Sequence, residues 1–243
     1  MSHSRTRQVS LTAILGTTYF VLRSVPTFHM IGNTGRFTAA DFLPTTIALL
    51  AGVWGILSVT VGTLLAYSII PPVFVGLDFL PAAVNVFVVS LIVSKRIKLA
   101  RLLYSLLLFS FIVSPYSLAF GYGLIPFAWL HILAFVILLS PLASRIVVYL
   151  RLSRSRQLFA ILLLTLTGTM AQHLMGGLLY EFSAGIIGGI TPNIFAEFWK
   201  VIFWVYPVER AMIIIFSAII AAAVARSIQV MNIDLSTEGA PAD

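Results

Sequence analysis

The chain lacks cysteine, and only 9% of its 243 residues are charged. Without cysteine, disulfide bonds and thiolate chemistry are excluded. The scarcity of charge excludes an ordinary soluble domain, which needs many more charged residues to cover its surface. Because 60% of the residues are hydrophobic, the composition predicts an all-α integral membrane protein, in which helices of roughly 20 apolar residues cross a bilayer core.

Several catalytic signatures are also missing. The chain has no G-x-x-x-x-G-K-[ST] motif, so it cannot bind and hydrolyse ATP through a P-loop. It has no H-E-x-x-H or G-x-S-x-G motif, and its histidines and carboxylates do not cluster at metal-ligand spacing. We therefore predict a protein that is not an enzyme and that binds no metal or other cofactor.

The apolar residues form eight segments that are candidates for membrane spans. These segments cover residues 9–28, 41–54, 56–74, 79–94, 99–116, 121–143, 157–180 and 200–226. The boundary between the second and third is indistinct, so we predict a bundle of about six to eight transmembrane helices. Residues 1–230 are expected to form one transmembrane domain, and residues 231–243 a polar, disordered C-terminal tail.

The basic residues lie on one side of this bundle if both termini are cytoplasmic. They flank spans one, four, five, six, seven and eight, and are Arg5, Arg7, Lys95, Arg96, Lys98, Arg101, Arg145, Arg151, Arg154, Arg156 and Arg226. This is the distribution that the positive-inside rule expects. The net charge of +7 therefore indicates topology rather than nucleic-acid binding. We expect the protein to cross the plasma membrane several times.

The same topology places residues of both charges at the outer face. These residues are Asp41, Asp78, Glu181, Glu197, Glu209, Arg23, Arg36, Lys200 and Arg210. Adjacent Glu209 and Arg210 can neutralise each other or a nearby partner, so we expect them to be structural. Trp199 is typical either of an interfacial aromatic belt or of a residue that stacks on a ligand.

Polar side chains inside the predicted spans are costly unless they face a cavity or bond another helix. The segment GTMAQHLMGG, residues 168–177, combines a Gln-His pair with three glycines that allow close approach. We expect Gln172 and His173 to help line an outward-facing cavity, with the loop at residues 185–192 covering it. His173 lies on the face expected to meet substrate, and Gln172 either faces the cavity or bonds a neighbouring helix. The candidate substrate-binding residues are His173, Gln172, Asn85, His131, Glu197 and Trp199. Alternatively, each of these residues could contact a neighbouring helix and serve only to hold the bundle together.

Three segments carry a resemblance to a known family. LTAILGTTYFVL, ADFLPTTIALLAGVWGILSVTVGTLLA and the YPVER that begins the last span resemble the S components of energy-coupling-factor (ECF) transporters, particularly archaeal members. The resemblance implies capture of a vitamin or related micronutrient from outside, for ATP-driven uptake by a transmembrane coupling subunit and two ATPase subunits. It also implies a partner interface at Ala13, Gly16 and Thr17. The family usually has six helices, so either spans two and three form one re-entrant unit and another segment is interfacial, or the chain belongs to an extended or different family.

Two other functions are compatible with the sequence. The protein could be a structural or accessory subunit of a larger membrane complex. It could also be a haem-b electron-transfer subunit in which His131 and His173 ligate the iron. Counting 1.5 Å per residue places His173 about 7 Å nearer the outer face than His131, which opposes this pairing unless the helices tilt.

Overall fold

The computed structural model of the chain describes residues 2–29, 36–117, 121–122 and 125–230. The helices are α1 (Ser2–Arg23), α2 (Pro44–Ala51), α3 (Gly55–Ala66), α4 (Leu80–Val93), α5 (Ile97–Val113), α6 (Trp129–Leu139), α7 (Pro141–Tyr149), α8 (Arg154–Tyr180), α9 (Pro192–Ile202) and α10 (Tyr206–Val230). The all-α prediction is confirmed for the body of the fold. The predicted tail at residues 231–243 lies outside the described residues.

Two short antiparallel hairpins accompany the helices. Strand β1 (Pro26–His29) pairs with β2 (Arg36–Thr38), and β3 (Gly121–Tyr122) pairs with β4 (Ile125–Pro126). Neither hairpin is predicted by the apolar pattern. The first follows α1 directly and leads through a 3₁₀ turn into α2, so it lies at the end of the bundle where α1 ends.

Among the described residues, three helical segments are long and apolar enough to cross a membrane, namely Pro44–Ala66, Arg154–Ile187 and Tyr206–Ser227. Helices α6 and α7 form a fourth candidate, although they bend by 73°. The bend falls where Ser140 caps α7 and Pro141 begins it, because proline cannot continue the hydrogen-bond ladder of α6. These segments are compatible with a membrane protein, whereas six to eight spans and two cytoplasmic termini stay predictions.

The second and third predicted spans form a single helical segment. A 3₁₀ turn at Gly52–Trp54 joins α2 to α3, and the whole segment has 23 residues. Gly52 has a φ of 55°, a backbone conformation that glycine adopts without steric cost. The helix is therefore interrupted at Gly52 without ending there, and residues 67–74 form turns and loop rather than the end of a span.

The segment after α8 is more helical than the sequence predicts. Residues Glu181–Ile187 extend α8 as a π-helix, and Gly189 makes the turn before α9 with a φ of 73°. Gly185 lies against the ring of Tyr116, where a Cβ atom would have no room. The expectation of an irregular loop through residues 185–192 is therefore wrong for its first part.

Helix α8 lies at the centre of the fold, in contact with α4, α5, α6, α7 and α10. At its closest approach to α4, a Cβ on Gly168 would overlap the Asn85 amide and the Val89 side chain. Helix α1 packs on α3 in the same way, because a Cβ on Gly62 would lie 2.7 Å from the carbonyl oxygen of Gly16. Glycines therefore allow close contact between α4 and α8 and between α1 and α3.

The helix directions separate two ends of the bundle. The start of α5 lies at the end of α6, because Arg101 Nε donates a hydrogen bond to the Leu138 carbonyl at 3.0 Å. The start of α8 lies beside the end of α10, where Ile161 packs against Ala218 and Ala221. We call this the basic end, since the arginines and lysines between α4 and α5 and between α7 and α8 lie there. The end of α8 and the start of α10 lie at the opposite end.

Candidate functional site

A cavity of about 140 Å³ lies at the end of the bundle opposite the basic end. The last turns of α1 and α8, the first turns of α4 and α10, and part of α9 form its walls. Among the residues that the structure describes, the charged ones that line it are Arg23, Arg36, Arg210, Asp41, Asp78 and Glu209. The aromatic ones are Tyr19, Phe37, Phe74, Tyr180, Trp199 and Tyr206. The walls thus combine charge of both signs with flat apolar surfaces.

The Asp78 carboxylate holds the loop before α4. Its oxygens accept hydrogen bonds from the backbone N–H groups of Val73 and Phe74 at 2.8 and 3.0 Å. Arg23 Nη2 lies 3.9 Å from Asp78 Oδ1, and the Tyr67 hydroxyl accepts a bond from the Asp78 N–H at 3.2 Å. Burial, together with the Asp78 charge, raises the pKa of Tyr67 above its ordinary value. Asp78 is therefore occupied by partners within the protein.

A chain of hydrogen bonds links Asp41 to the interior of the bundle. Asp41 Oδ2 accepts from the Thr38 N–H at 2.8 Å, and Asp41 Oδ1 accepts from Gln172 Nε2 at 3.2 Å. Gln172 Oε1 accepts in turn from Asn85 Nδ2 at 2.9 Å. Gly168 allows this arrangement, since a larger residue would collide with Asn85. The cost of glycine in α8 is thus offset by a buried polar chain between three elements.

His131 and His173 are hydrogen-bonded to each other, with 3.0 Å between His131 Nε2 and His173 Nδ1. The predicted offset of about 7 Å between them along the bundle axis does not keep them apart, because α6 and α8 pack together. In either tautomer, this bond leaves Nε2 of His173 for another partner. His173 lines the cavity, whereas His131 is 1% exposed and lies behind it.

The histidine pair is not arranged as the two axial ligands of a haem. Two metal–nitrogen bonds of about 2 Å on opposite sides of one iron would separate the nitrogens by about 4 Å, with the iron between them. Here the two nitrogens bond each other directly. Among the described residues, no group of three or more His, Cys, Asp or Glu side chains could hold a metal ion.

Aromatic side chains surround the histidine pair. The rings of His131 and Tyr206 are stacked with centroids 5.9 Å apart, and the Tyr206 hydroxyl donates to the Phe127 carbonyl at 2.7 Å. The Phe127 ring contacts the rings of Trp199 and Tyr206 at centroid distances of 4.3 and 4.5 Å. Tyr206 and Trp199 are therefore held rigidly where they form the cavity wall.

Arg210 is buried at the start of α10, with 7% of its surface exposed. Its Nη2 lies 3.8 Å from Glu209 Oε2, which is beyond hydrogen-bond distance. Its guanidinium carbon lies 4.6 Å from the centre of the Phe37 ring. Arg210 Nε has no hydrogen-bond partner among the described residues. Glu209 and Arg210 therefore form the expected ion pair, but at a distance that leaves the guanidinium without a hydrogen bond to the carboxylate.

The structure brings most of the predicted binding residues to one place. His173, Gln172 and Trp199 line the cavity, and Asn85 and His131 bond two of these residues from behind. Glu197 does not line the cavity. Its side chain is 69% exposed and pairs with Lys200 at 2.7 Å.

The predicted partner interface divides into two faces of α1. Gly16 is buried against α3, where a Cβ would lie 3.3 Å from the Ser58 carbonyl oxygen. Ala13 and Thr17 are exposed on the other face of the helix. Gly16 therefore serves a contact inside the bundle, and only Ala13 and Thr17 are free to meet another subunit.

Sequence reasoning did not select several residues of the cavity wall. Arg23, Asp41 and Arg210 belong to the mixed charge predicted at the outer face, but nothing in their spacing shows that they converge. Tyr206, like Trp199, is typical either of an interfacial aromatic belt or of a residue that stacks on a ligand, whereas Tyr19 carried no signal beyond its position near the predicted end of a helix. Their convergence depends on how α1, α8 and α10 pack.

Comparisons of the chain with family models, with curated proteins and with solved structures find no match. The resemblance to ECF S components therefore rests on the quoted sequence segments alone.

Proposed function

We propose that this protein is a substrate-binding membrane subunit that captures a small, water-soluble micronutrient, such as a vitamin, from outside the cell. The observation that carries the proposal is the cavity with charged and aromatic walls at the end of the bundle opposite the basic end. Ligand sites of this kind combine apolar walls with a few polar groups that orient the ligand. Polar and charged side chains within the membrane-spanning part of a protein are typical of functional sites.

The direction of capture follows from the charge distribution. Basic residues are retained on the cytoplasmic side of membrane proteins, so the basic end would face the cytoplasm and the cavity would open outward. This orientation makes both termini cytoplasmic and the protein a multi-pass component of the plasma membrane. An outward-facing cavity suits uptake better than export.

The energy for uptake would come from other subunits. The chain has no P-loop, and the resemblance to S components supports a transmembrane coupling subunit and two ATPase subunits as partners. The exposed face of α1 at Ala13 and Thr17 is available for such a contact. An accessory subunit of another complex would share this exposed face but would have no reason to retain a ligand.

The test is mass spectrometry of small molecules released from the purified, unsupplemented protein. We expect one compound in near-stoichiometric amount, and we expect its amount to fall sharply in a His173→Ala variant that remains folded. Copurification of ATPase subunits would support the uptake system. Release of no compound, together with stable association with partners that are not ATPases, would favour the accessory subunit instead.

A further inference from the structure

The charged residues of the cavity differ in how fully the protein itself neutralises them. Asp41 and Asp78 each accept several hydrogen bonds from neighbouring protein groups. Arg23 lies beside Asp78, and Arg36 is exposed to solvent. Arg210 is buried without a hydrogen-bonded carboxylate, because its ion pair with Glu209 is long, Asp41 acts on it only through its charge, and its Nε has no hydrogen-bond partner among the described residues.

A buried guanidinium in this state is costly. Moving a charged group out of water costs free energy. This cost is compensated only when the donors of the group are hydrogen-bonded and its charge is closely paired. The Phe37 ring, 4.6 Å from the guanidinium carbon, offsets part of this cost through a cation–π contact, but a ring face cannot occupy the in-plane N–H donors. The donors of Arg210 are therefore available to an anion that enters the cavity.

The size of the cavity limits the rest of the ligand. Its volume of about 140 Å³ is close to that of a cavity that accommodates benzene, about 150 Å³. The aromatic walls at Trp199 and Tyr206 favour a flat ring. His173 adds a neutral donor or acceptor on the same wall.

We propose that Arg210 anchors the anionic group, a carboxylate or a phosphate, of a small single-ring ligand whose ring lies against the aromatic walls of the cavity. This inference rests on the proposed function and narrows its substrate class. Arginine suits the role because its planar fork of donors matches both anions. A bound anion would give the Arg210 guanidinium the hydrogen-bonded negative partner that Glu209, at 3.8 Å, does not provide.

The experiment measures binding of three probes of similar shape to the purified full-length protein in detergent. The probes are pyridine-3-carboxylate, its neutral amide, and phenyl phosphate, and ligand-observed NMR titration gives the affinities. We expect the carboxylate or the phosphate to bind at least about tenfold more tightly than the amide. The anion that binds with the higher affinity identifies which anionic group the site accepts.

Variants of Arg210 test the anchor itself. Arg210→Gln should weaken binding of the preferred anion by roughly thirtyfold or more and abolish its advantage over the amide. Arg210→Lys keeps the charge but loses the planar fork, so it should weaken binding of the anion while preserving some preference for the anion over the amide. This variant tests the anchor even if Arg210→Gln does not fold. Arg226→Gln, an exposed arginine near the far end of the same helix, is the matched control and should change nothing.

The outcomes separate this inference from the proposed function. If the amide binds as tightly as both anions, or if Arg36→Gln rather than the Arg210 variants removes the preference, Arg210 is not the anchor. If a neutral compound is released from the purified protein, the anchor is excluded while the proposed function stands. If no compound is released, no probe binds and the protein associates stably with partners that are not ATPases, the proposed function is excluded together with the anchor.

Discussion

The pair of histidines at the cavity wall is the first feature to test at the scale of single residues. His173 bonds His131 through Nδ1 and keeps Nε2 for another partner. Loss of one hydrogen-bonding partner from a desolvated site costs about 1–3 kcal/mol, or roughly ten- to a hundredfold in affinity. We therefore expect His173→Ala to weaken binding of the copurified ligand by that factor, as measured by equilibrium dialysis.

The control for this prediction is His29→Ala, because His29 is exposed on β1 and does not line the cavity. Both variants should have thermal unfolding curves close to that of the wild type. If His173→Ala binds ligand normally but unfolds at lower temperature, the histidine pair only holds α6 and α8 together.

Asn85 offers a second residue-scale test, directed at stability rather than binding. Its side-chain amide donates to Gln172 Oε1 inside the bundle, so Asn85→Ala leaves a buried acceptor without its donor. We expect the free energy of unfolding to fall by about 1–3 kcal/mol, measured by thermal or denaturant unfolding in detergent.

Ser90 on the same helix is the matched control for Asn85. It is 1% exposed, and its hydroxyl has no hydrogen-bond partner among the described residues. Ser90→Ala should therefore leave stability unchanged or raise it slightly. Equal destabilisation by both substitutions would show that packing in α4, and not the polar chain, determines the effect.

At the scale of elements, the contact between α4 and α8 depends on the absence of a side chain at Gly168. A methyl group there would overlap Asn85 and Val89, so Gly168→Ala should destabilise the protein by about 1–3 kcal/mol. Gly176 lies two turns later, and its nearest neighbour for a Cβ is Pro81 at 4.0 Å. Gly176→Ala should be neutral or stabilising by up to about 1 kcal/mol, since alanine favours the helix.

Comparison of the two melting temperatures checks this prediction, since both substitutions add one methyl group to α8. Similar effects for the two would contradict the close packing at Gly168.

The two faces of α1 provide a second test at the scale of elements. Gly62→Leu places a side chain where α3 meets the Gly16 carbonyl, so we expect little folded protein. Ala13 is exposed, so Ala13→Trp should fold and bind ligand but should separate the protein from a coupling subunit that docks closely on this face. Size-exclusion chromatography measures the yield of folded Gly62→Leu protein and the association of Ala13→Trp with the coupling subunit. Misfolding of Ala13→Trp would place that face of α1 inside the bundle.

At the scale of the whole molecule, orientation is testable because the chain has no cysteine, so a single introduced thiol reports one position. Arg151→Cys at the basic end should resist an impermeant maleimide in intact cells and react after lysis. Glu197→Cys, near the cavity end with a side chain 69% exposed, should react in intact cells. The reverse pattern would make the cavity open toward the cytoplasm and would contradict uptake.

The sequence alone predicts the helical class, the apolar segments and the separation of basic residues from mixed charge. Composition and residue order suffice for these features because a bilayer selects long apolar helices and retains arginine and lysine on one side. The local sequence predicts the structure less well where the backbone makes an unusual turn. The single segment Pro44–Ala66 continues past Gly52, which the indistinct boundary between the second and third predicted spans indicates only in part. The apolar pattern gives no sign of the π-helix after α8.

The cavity and its hydrogen bonds depend on tertiary structure. His131 and His173 are 42 residues apart, Asn85 and Gln172 are 87 apart, and Asp41 and Gln172 are 131 apart. Residue spacing within one helix predicts which side chains share a face, but contacts between helices follow from their tilt, depth and rotation. The sequence by itself therefore determined that polar groups lie among apolar helices, and only the packing of those helices decided which groups bond each other and which, like Arg210, remain available to a ligand.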